Sequence, residues 1–135
     1  MQVGVQEDAA GPDAEGDAFN GACRGRTVFD HITSRWGVLV LAALRLGPLR
    51  FSALHSRITG MSEKMLSQTL RTLVRDGLIA RTVDASVPPK VSYALTSLGR
   101  GASQPLQGLL DWISAHSAEV EQAQRNHDNV RAAEA

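Results

Sequence analysis

Ser62-Glu-Lys-Met-Leu-Ser-Gln-Thr-Leu-Arg-Thr-Leu-Val-Arg75 is the stretch on which the fold of this 135-residue chain turns. Leu66, Leu70, Leu73 and Val74 follow i, i+4, i+7, i+8, the spacing that lines one side of an α-helix and packs it on a core. The other side carries Lys64, Ser67, Gln68, Arg71 and Arg75 and no acid, whereas solvated helix faces ordinarily mix charge signs. Ser62 is placed to cap the N-terminus, and Glu63 stands in the first turn, where the helix dipole favours an anion. Asp76-Gly77 ends the helix. Such a basic face either meets solvent or reads a polyanion: Lys and Arg neutralise phosphates or bind guanine edges, and Gln can bond adenine in two places.

The flanking sequence decides between these. Thr59-Gly60-Met61 reads as a turn, preceded by a third helix over residues 51–58 with Phe51, Leu54 and Ile58 on one stripe. Leu49-Arg50-Phe51 predicts a short extended segment before it. Residues 36–46 predict a second helix, apolar nearly all round and closed by Gly47-Pro48, hence central. Residues 27–34 predict the first helix, with Thr27 as N-cap, Asp30 three residues on, and Val28, Phe29 and Ile32 as its apolar face.

Downstream the period changes. Residues 78–83 and 90–95 predict two strands, rich in β-formers such as Val83, Val91 and Tyr93, with Pro88-Pro89 stiffening the loop between them. A last long helix begins at Thr96 or Ser97, with Leu98, Leu106, Leu109, Leu110 and Ile113 as its stripe and a kink expected at Pro105. Helices, tight turn, basic helix, β-hairpin and helix make the winged helix-turn-helix order. The expected class is α+β, mostly α, with a two-stranded hairpin wing and terminal dimerisation helices. A plain helical bundle needs neither the strand pair nor its proline loop.

Length and composition set the outer bounds. A chain of 135 residues with 43% hydrophobic content fits one core with tails: an acidic disordered tail over 1–20, a winged domain over 21–117, and a frayed helix or flexible tail over 118–135. The zero net charge hides an asymmetry. Residues 1–23 carry five acids and no base, residues 24–100 carry twelve bases against four acids, and residues 101–135 carry two bases against five acids. A middle of net +8 is expected where a polyanion binds, although solubility alone accommodates it. No apolar run approaches a membrane span and no secretion signal opens the chain, so a cytoplasmic protein is expected. The four histidines, His31, His55, His116 and His127, are scattered without ligand spacing, and neither a phosphate loop nor a nucleophile elbow is present. Neither an enzyme, a metal nor a cofactor is expected.

Double-stranded DNA is the partner that fits. Ser67 and Gln68 are the expected base readers, near the helix end that enters the major groove, with Arg71 shared between base and phosphate. Lys64 and Arg75 complete the face. Arg81 and Lys90 flank the wing loop, Lys90 being the stronger candidate because Arg81 equally suits a strand surface. Arg50 and Arg35 stand before helices, within reach of phosphates. Leu106, Leu109, Leu110, Trp112 and Ile113 offer a dimer contact, or for any one of them a place in the chain's own core.

The segments Ser34-Arg-Trp-Gly, Gly47-Pro-Leu-Arg-Phe-Ser-Ala-Leu54 and Gly60-Met-Ser-Glu-Lys-Met-Leu-Ser-Gln-Thr-Leu-Arg-Thr-Leu73 resemble the HxlR family of bacterial regulators, related to the MarR-like winged-helix group. Asp76-Gly-Leu-Ile-Ala-Arg81, Val87-Pro-Pro-Lys-Val-Ser-Tyr-Ala-Leu-Thr-Ser-Leu-Gly99 and Trp112 extend the likeness, which covers about residues 23–116. The resemblance implies a homodimer formed largely by terminal helices, an imperfect palindrome as target, and control of nearby genes, with repression the expected sign. An oxidant or a small molecule is the expected kind of effector.

The family often opens its first helix with a Cys-Pro pair, used by some members as a thiol switch. Cys23 holds that place here, followed by Arg24 rather than proline. Flanking Arg24 and Arg26 would raise its reactivity, and as the single cysteine it could bridge only to a second subunit or to another thiol. An inert thiol is the alternative.

Overall fold

The computed structural model describes Asp17 and residues 19–135; most of the expected 1–20 tail lies outside the described residues. The elements run α1 (Gly25–Ile32), α2 (Arg35–Ala43), a 3-10 turn (Leu44–Leu46), β1 (Leu49–Arg50), α3 (Phe51–Arg57), α4 (Glu63–Arg75), β2 (Ile79–Asp84), β3 (Lys90–Leu95) and α5 (Ser97–Glu134). This is a winged helix-turn-helix, with α3 and α4 as the helical pair and the β2–β3 hairpin as the wing.

The wing differs from expectation in one respect. The sheet has three antiparallel strands in the order β1-β3-β2, because Leu49 and Arg50 pair with Tyr93 and Ser92. A two-residue strand is too short for alternation to show in a sequence, and the pairing partner lies more than forty residues away. The first helix is corrected as well. It starts at Gly25 behind Arg24, with no side-chain cap, so Thr27 lies inside it rather than at its N-cap. The Gly25 N–H instead donates to Cys23 Sγ at 3.2 Å.

Two side-chain caps set the geometry around α2 and α4. Ser34 Oγ accepts from Gly37 N at 3.0 Å and donates to the His31 carbonyl at 2.9 Å, turning the chain tightly from α1 into α2. Ser62 Oγ accepts from Met65 N at 3.1 Å and starts α4. At the other end of α4, Gly77 takes φ +78°, its N–H bonding Val74 O while Leu78 N bonds Leu73 O. That pair of bonds is the glycine-dependent helix stop, and it delivers the chain directly into β2. Thr96 then locks the junction, accepting from Gly99 N at 3.0 Å and donating to the Gly77 carbonyl at 2.6 Å.

The core sits where α2, α3, α4 and the sheet meet. Val40, Leu41, Leu44, Leu54, Leu66, Leu70, Leu73 and Ile79 are buried in it, and Met61, buried in the α3–α4 turn, pins the two helices together. The second helix is as central as its all-round hydrophobicity implies: α2 packs on α1, α3, α4 and α5. From α1, Val28 and Ile32 pack on the core, whereas Phe29 is turned outward. Residues beyond Ser117 continue α5 as an exposed helix to Glu134. Pro105 lies inside α5, where its ring withholds one backbone donor.

Candidate nucleic-acid interface

The α4 helix presents its two faces as its spacing requires. Leu66, Leu70 and Leu73 are buried and Val74 is half-buried, while Lys64, Gln68, Arg71 and Arg75 are exposed in one stripe. Ser67 is half-buried beside them. The stripe is i, i+4, i+7, i+11, so these four side chains project in one direction along about three turns of helix. At the helix N-terminus, the positive end of its dipole, Ser62 satisfies the Met65 N–H and Glu63 stands in the first turn.

Strand register distributes the remaining basic residues. Arg81 stands opposite Tyr93, which stands opposite Leu49, so these three share one sheet face. That face looks toward α4, and Arg81 borders the same cleft as Ser67, Arg71 and Arg75. Arg50, paired with Ser92, and Lys90, paired with Asp84, alternate to the other face. The nine basic and polar residues singled out in the sequence therefore divide: six on α4 and its facing strand, two at the sheet's opposite side, and Arg35 apart on α2. Arg35 opens α2 with its guanidinium 5.6 Å from the centre of the Trp36 ring, and the far edge of that ring approaches Gly60 in the α3–α4 turn.

Two features escaped the sequence. Tyr93 reads there only as a strand former, yet it lies in the cleft under Arg81. The register follows once the hairpin loop is fixed by Asp84 facing Lys90, which the loop prolines only suggest. The second is the contact of His31 with Asp76, which joins residues 45 positions apart and has no local signature.

The apolar residues of α5 also divide. Leu106 packs on the chain's own core, and Leu110 lines a hollow with Leu39, Ala43 and Ile58. Leu109, Trp112 and Ile113 stay about half exposed, with Val120 and Val130 further along. The Trp112 ring stacks on His116 at 4.7 Å, and His116 Nδ1 donates to the Trp112 carbonyl. Cys23 is buried, with 6% of its surface exposed. No helix among the described residues is long and apolar enough to cross a membrane.

A winged domain whose exposed recognition-helix stripe is basic defines a DNA-binding transcription regulator of the helix-turn-helix class. The comparisons narrow the class. Residues 31–121 match the model of the HxlR-like helix-turn-helix family. The chain is 49% identical over 106 residues to the HTH-type transcriptional regulator YtfH of Escherichia coli, covering 78% of this chain and 84% of that one. It is 37% identical over 99 residues to an HTH-type transcriptional regulator of Methanothermobacter thermautotrophicus, covering 73% and 76%. Among solved structures it is similar to the putative transcriptional regulator ytfH of Salmonella typhimurium, with a TM-score of 0.74, 46% identity and coverage of 82% and 97%. It also resembles the redox regulator HypR in its reduced form, with a TM-score of 0.66, 28% identity and coverage of 72% and 96%. The chain belongs to the HxlR-like family of transcriptional regulators.

Proposed function

We propose that this protein is a homodimeric repressor that binds an imperfect palindrome, each protomer laying α4 into a major groove. The exposed stripe Lys64-Gln68-Arg71-Arg75 carries this reading. Gln68 and Ser67 meet base edges, Arg71 is shared between base and backbone, and Lys64, Arg75, Arg81, Lys90 and Arg50 meet phosphates. A two-fold dimer presents two such helices about one DNA turn, roughly 34 Å, apart, which makes the operator palindromic. Occupying a promoter excludes polymerase without any further contact, so repression is the expected sign.

The dimer reading rests on α5. Its 38 residues are exposed throughout beyond Ser117, and packing against another element normally supplies most helix stability. Upstream of and into that stretch, Leu109, Trp112, Ile113 and Val120 give α5 an apolar side that stays about half exposed.

Footprinting and gel shift on the chain's own upstream region test the proposal. A protected two-fold site whose affinity falls steeply with salt is expected. Uniform binding to unrelated duplexes would leave only a non-specific polyanion binder.

A second reading, response to oxidants, is favoured by Cys23 at the entry to α1 and by the similarity to HypR, a redox regulator. Burial of the sulfur requires local opening of residues 19–25 before an oxidant reaches it. Mild oxidant is expected to shift mobility on non-reducing gels and to change operator affinity, and Cys23→Ser is expected to abolish both. A variant that responds like the parent removes this reading.

A further inference from the structure

Of the fourteen basic residues in the chain, twelve are arginine and only Lys64 and Lys90 are lysine. Lys64 lies in the exposed stripe of α4 with Gln68, Arg71 and Arg75, and Lys90 opens β3 at the wing loop. Both are exposed, and neither amine makes an ion pair or a hydrogen bond among the described residues. Asp84 faces Lys90 across the hairpin, but its Oδ1 accepts from Ser86 N at 3.3 Å. The residues one helical turn on from Lys64 are Ser67 and Gln68, neither of them an acid. Glu63 is its neighbour in sequence, and adjacent helical positions do not face each other.

These two cations differ chemically from the other twelve. A lysine amine that gives up its proton is a nucleophile, whereas an arginine guanidinium stays protonated in proteins. A carboxylate partner would hold a lysine in its charged, unreactive form, and Lys64 and Lys90 have none among the described residues. An activated acyl group, carried as an acyl phosphate or an acyl thioester, therefore transfers to these side chains and not to the arginines around them. The deprotonated nitrogen attacks the acyl carbon and a C–N bond forms. The C–O bond to phosphate, or the C–S bond to the thiol, breaks and its electron pair leaves with the phosphate or thiolate. The nitrogen loses its extra proton to water, and the product is an uncharged amide.

We propose that Lys64 and Lys90 are acyl-modification sites, and that acylation by an acyl phosphate or acyl thioester weakens DNA binding. One lost cation comes from the recognition helix and one from the wing, so the change falls on the nucleic-acid surface and nowhere else among the charged side chains. Across residues 24–100, twelve bases against four acids become ten against four. Each lost phosphate contact lowers the salt slope by about 0.9, which is about eightfold in affinity at about 0.1 M salt, or about sixtyfold for both. The effect on affinity rests on the proposed DNA function; the acylation itself does not.

The test treats the full chain, in mildly alkaline buffer, with acetyl phosphate and in parallel with acetyl-coenzyme A. Peptide mapping by mass spectrometry then locates the acetyl groups, with the α-amine at the chain start as internal reference. Acetyl on both Lys64 and Lys90 with either reagent is expected, and the reagent that acts names the donor class. Acetyl confined to the α-amine with both reagents would overturn the sites.

Gel shift reads the consequence, each protein being compared with itself before and after treatment. The parent should lose about sixtyfold at about 0.1 M salt, and its salt slope should fall by about two. Lys64→Arg and Lys90→Arg keep a cation that cannot be acylated, so each should lose only about eightfold on treatment. The double variant should lose nothing on treatment, although its α-amine is modified as in the parent. A double variant that weakens as much as the parent would place the effect elsewhere and overturn the regulation. Acetylation of both lysines with operator affinity unchanged would overturn the regulation and keep the sites. Failure of untreated protein to bind any upstream DNA would instead overturn the DNA function, with the peptide map unaffected.

Discussion

Nδ1 of His31 lies 2.7 Å from Oδ2 of Asp76, and this bond joins α1 to the residue that caps the C-terminus of α4. A carboxylate only accepts, so the imidazole holds its proton on Nδ1 and donates. Asp76 places its charge at the negative end of the α4 dipole, an unfavourable position that the imidazole N–H offsets. The pair thus fixes the far end of the recognition helix as Ser62 fixes its start. His31→Ala leaves that carboxylate, with 13% of its side chain exposed, short of a donor. Destabilisation of about 1–2 kcal/mol is expected, read as a fall in Tm of roughly 5–10 °C. Adding Asp76→Asn to His31→Ala should recover part of the loss, because the neutral amide no longer opposes the dipole. A double variant as unstable as the sum of the two single changes would show that the groups act independently.

Gly99 and Gly108 both lie in α5, yet alanine should act on them in opposite directions. A Cβ at Gly99 would overlap the carbonyl oxygen of Leu78, where α5 crosses the end of α4, and backbone cannot yield as a side chain would. Gly99→Ala is expected to cost about 1–3 kcal/mol. A Cβ at Gly108 meets nothing within 4 Å, so Gly108→Ala should stabilise by about 0.5–1 kcal/mol through helix propensity. Thermal unfolding of the two variants checks the pair. Two changes of the same sign would mean that α5 does not cross Leu78 as described.

The contrast between these glycines shows what the sequence could reveal. Periodicity and caps are local, so α4, its cap at Ser62 and its stop at Gly77 were legible to the residue. The start of α1 was not, because the Gly25 N–H bonds Cys23 Sγ, one residue before the N-cap, and the N-cap residue Arg24 makes no side-chain cap bond. The third strand, the crossing at Gly99 and the His31–Asp76 bond depend on residues brought from far along the chain. The same holds for the basic residues. Their presence on α4 was legible, but only strand register shows that Arg81 faces α4 while Arg50 and Lys90 face away. In α5 the pattern marked five apolar residues equally, whereas packing takes Leu106 into the core and leaves Trp112 and Ile113 outside.

That division makes a prediction about assembly. If Trp112 and Ile113 cover each other's counterparts in a dimer, Ile113→Glu puts a charge into the apolar contact and should shift the species from about twice the 14.5 kDa chain mass to the chain mass itself. Light scattering after size exclusion measures this directly. Leu106→Glu should instead unfold the domain, because Leu106 packs on the protomer's own core. A folded Ile113→Glu protein that keeps the parent's mass would move the dimer contact elsewhere.

Gln68 and Lys90 separate reading from anchoring. Gln68 sits mid-stripe on α4 with its amide exposed, able to bond a base edge in two places, while Lys90 stands at the wing tip, a point charge on a flexible stem. Gln68→Ala is expected to cost about 1–3 kcal/mol on the preferred operator and far less on variants altered at the contacted base pair, so that preference relaxes there. Lys90→Ala should weaken all sequences alike and lower the salt slope by about one, the signature of one lost phosphate contact. Binding measured at several salt concentrations on a panel of single-base operator variants resolves the two. Equal, sequence-independent losses would place Gln68 on the backbone and leave base reading to Ser67 and Arg71. A Lys90 effect confined to particular base pairs would instead put the wing in a groove, where width and base composition are felt.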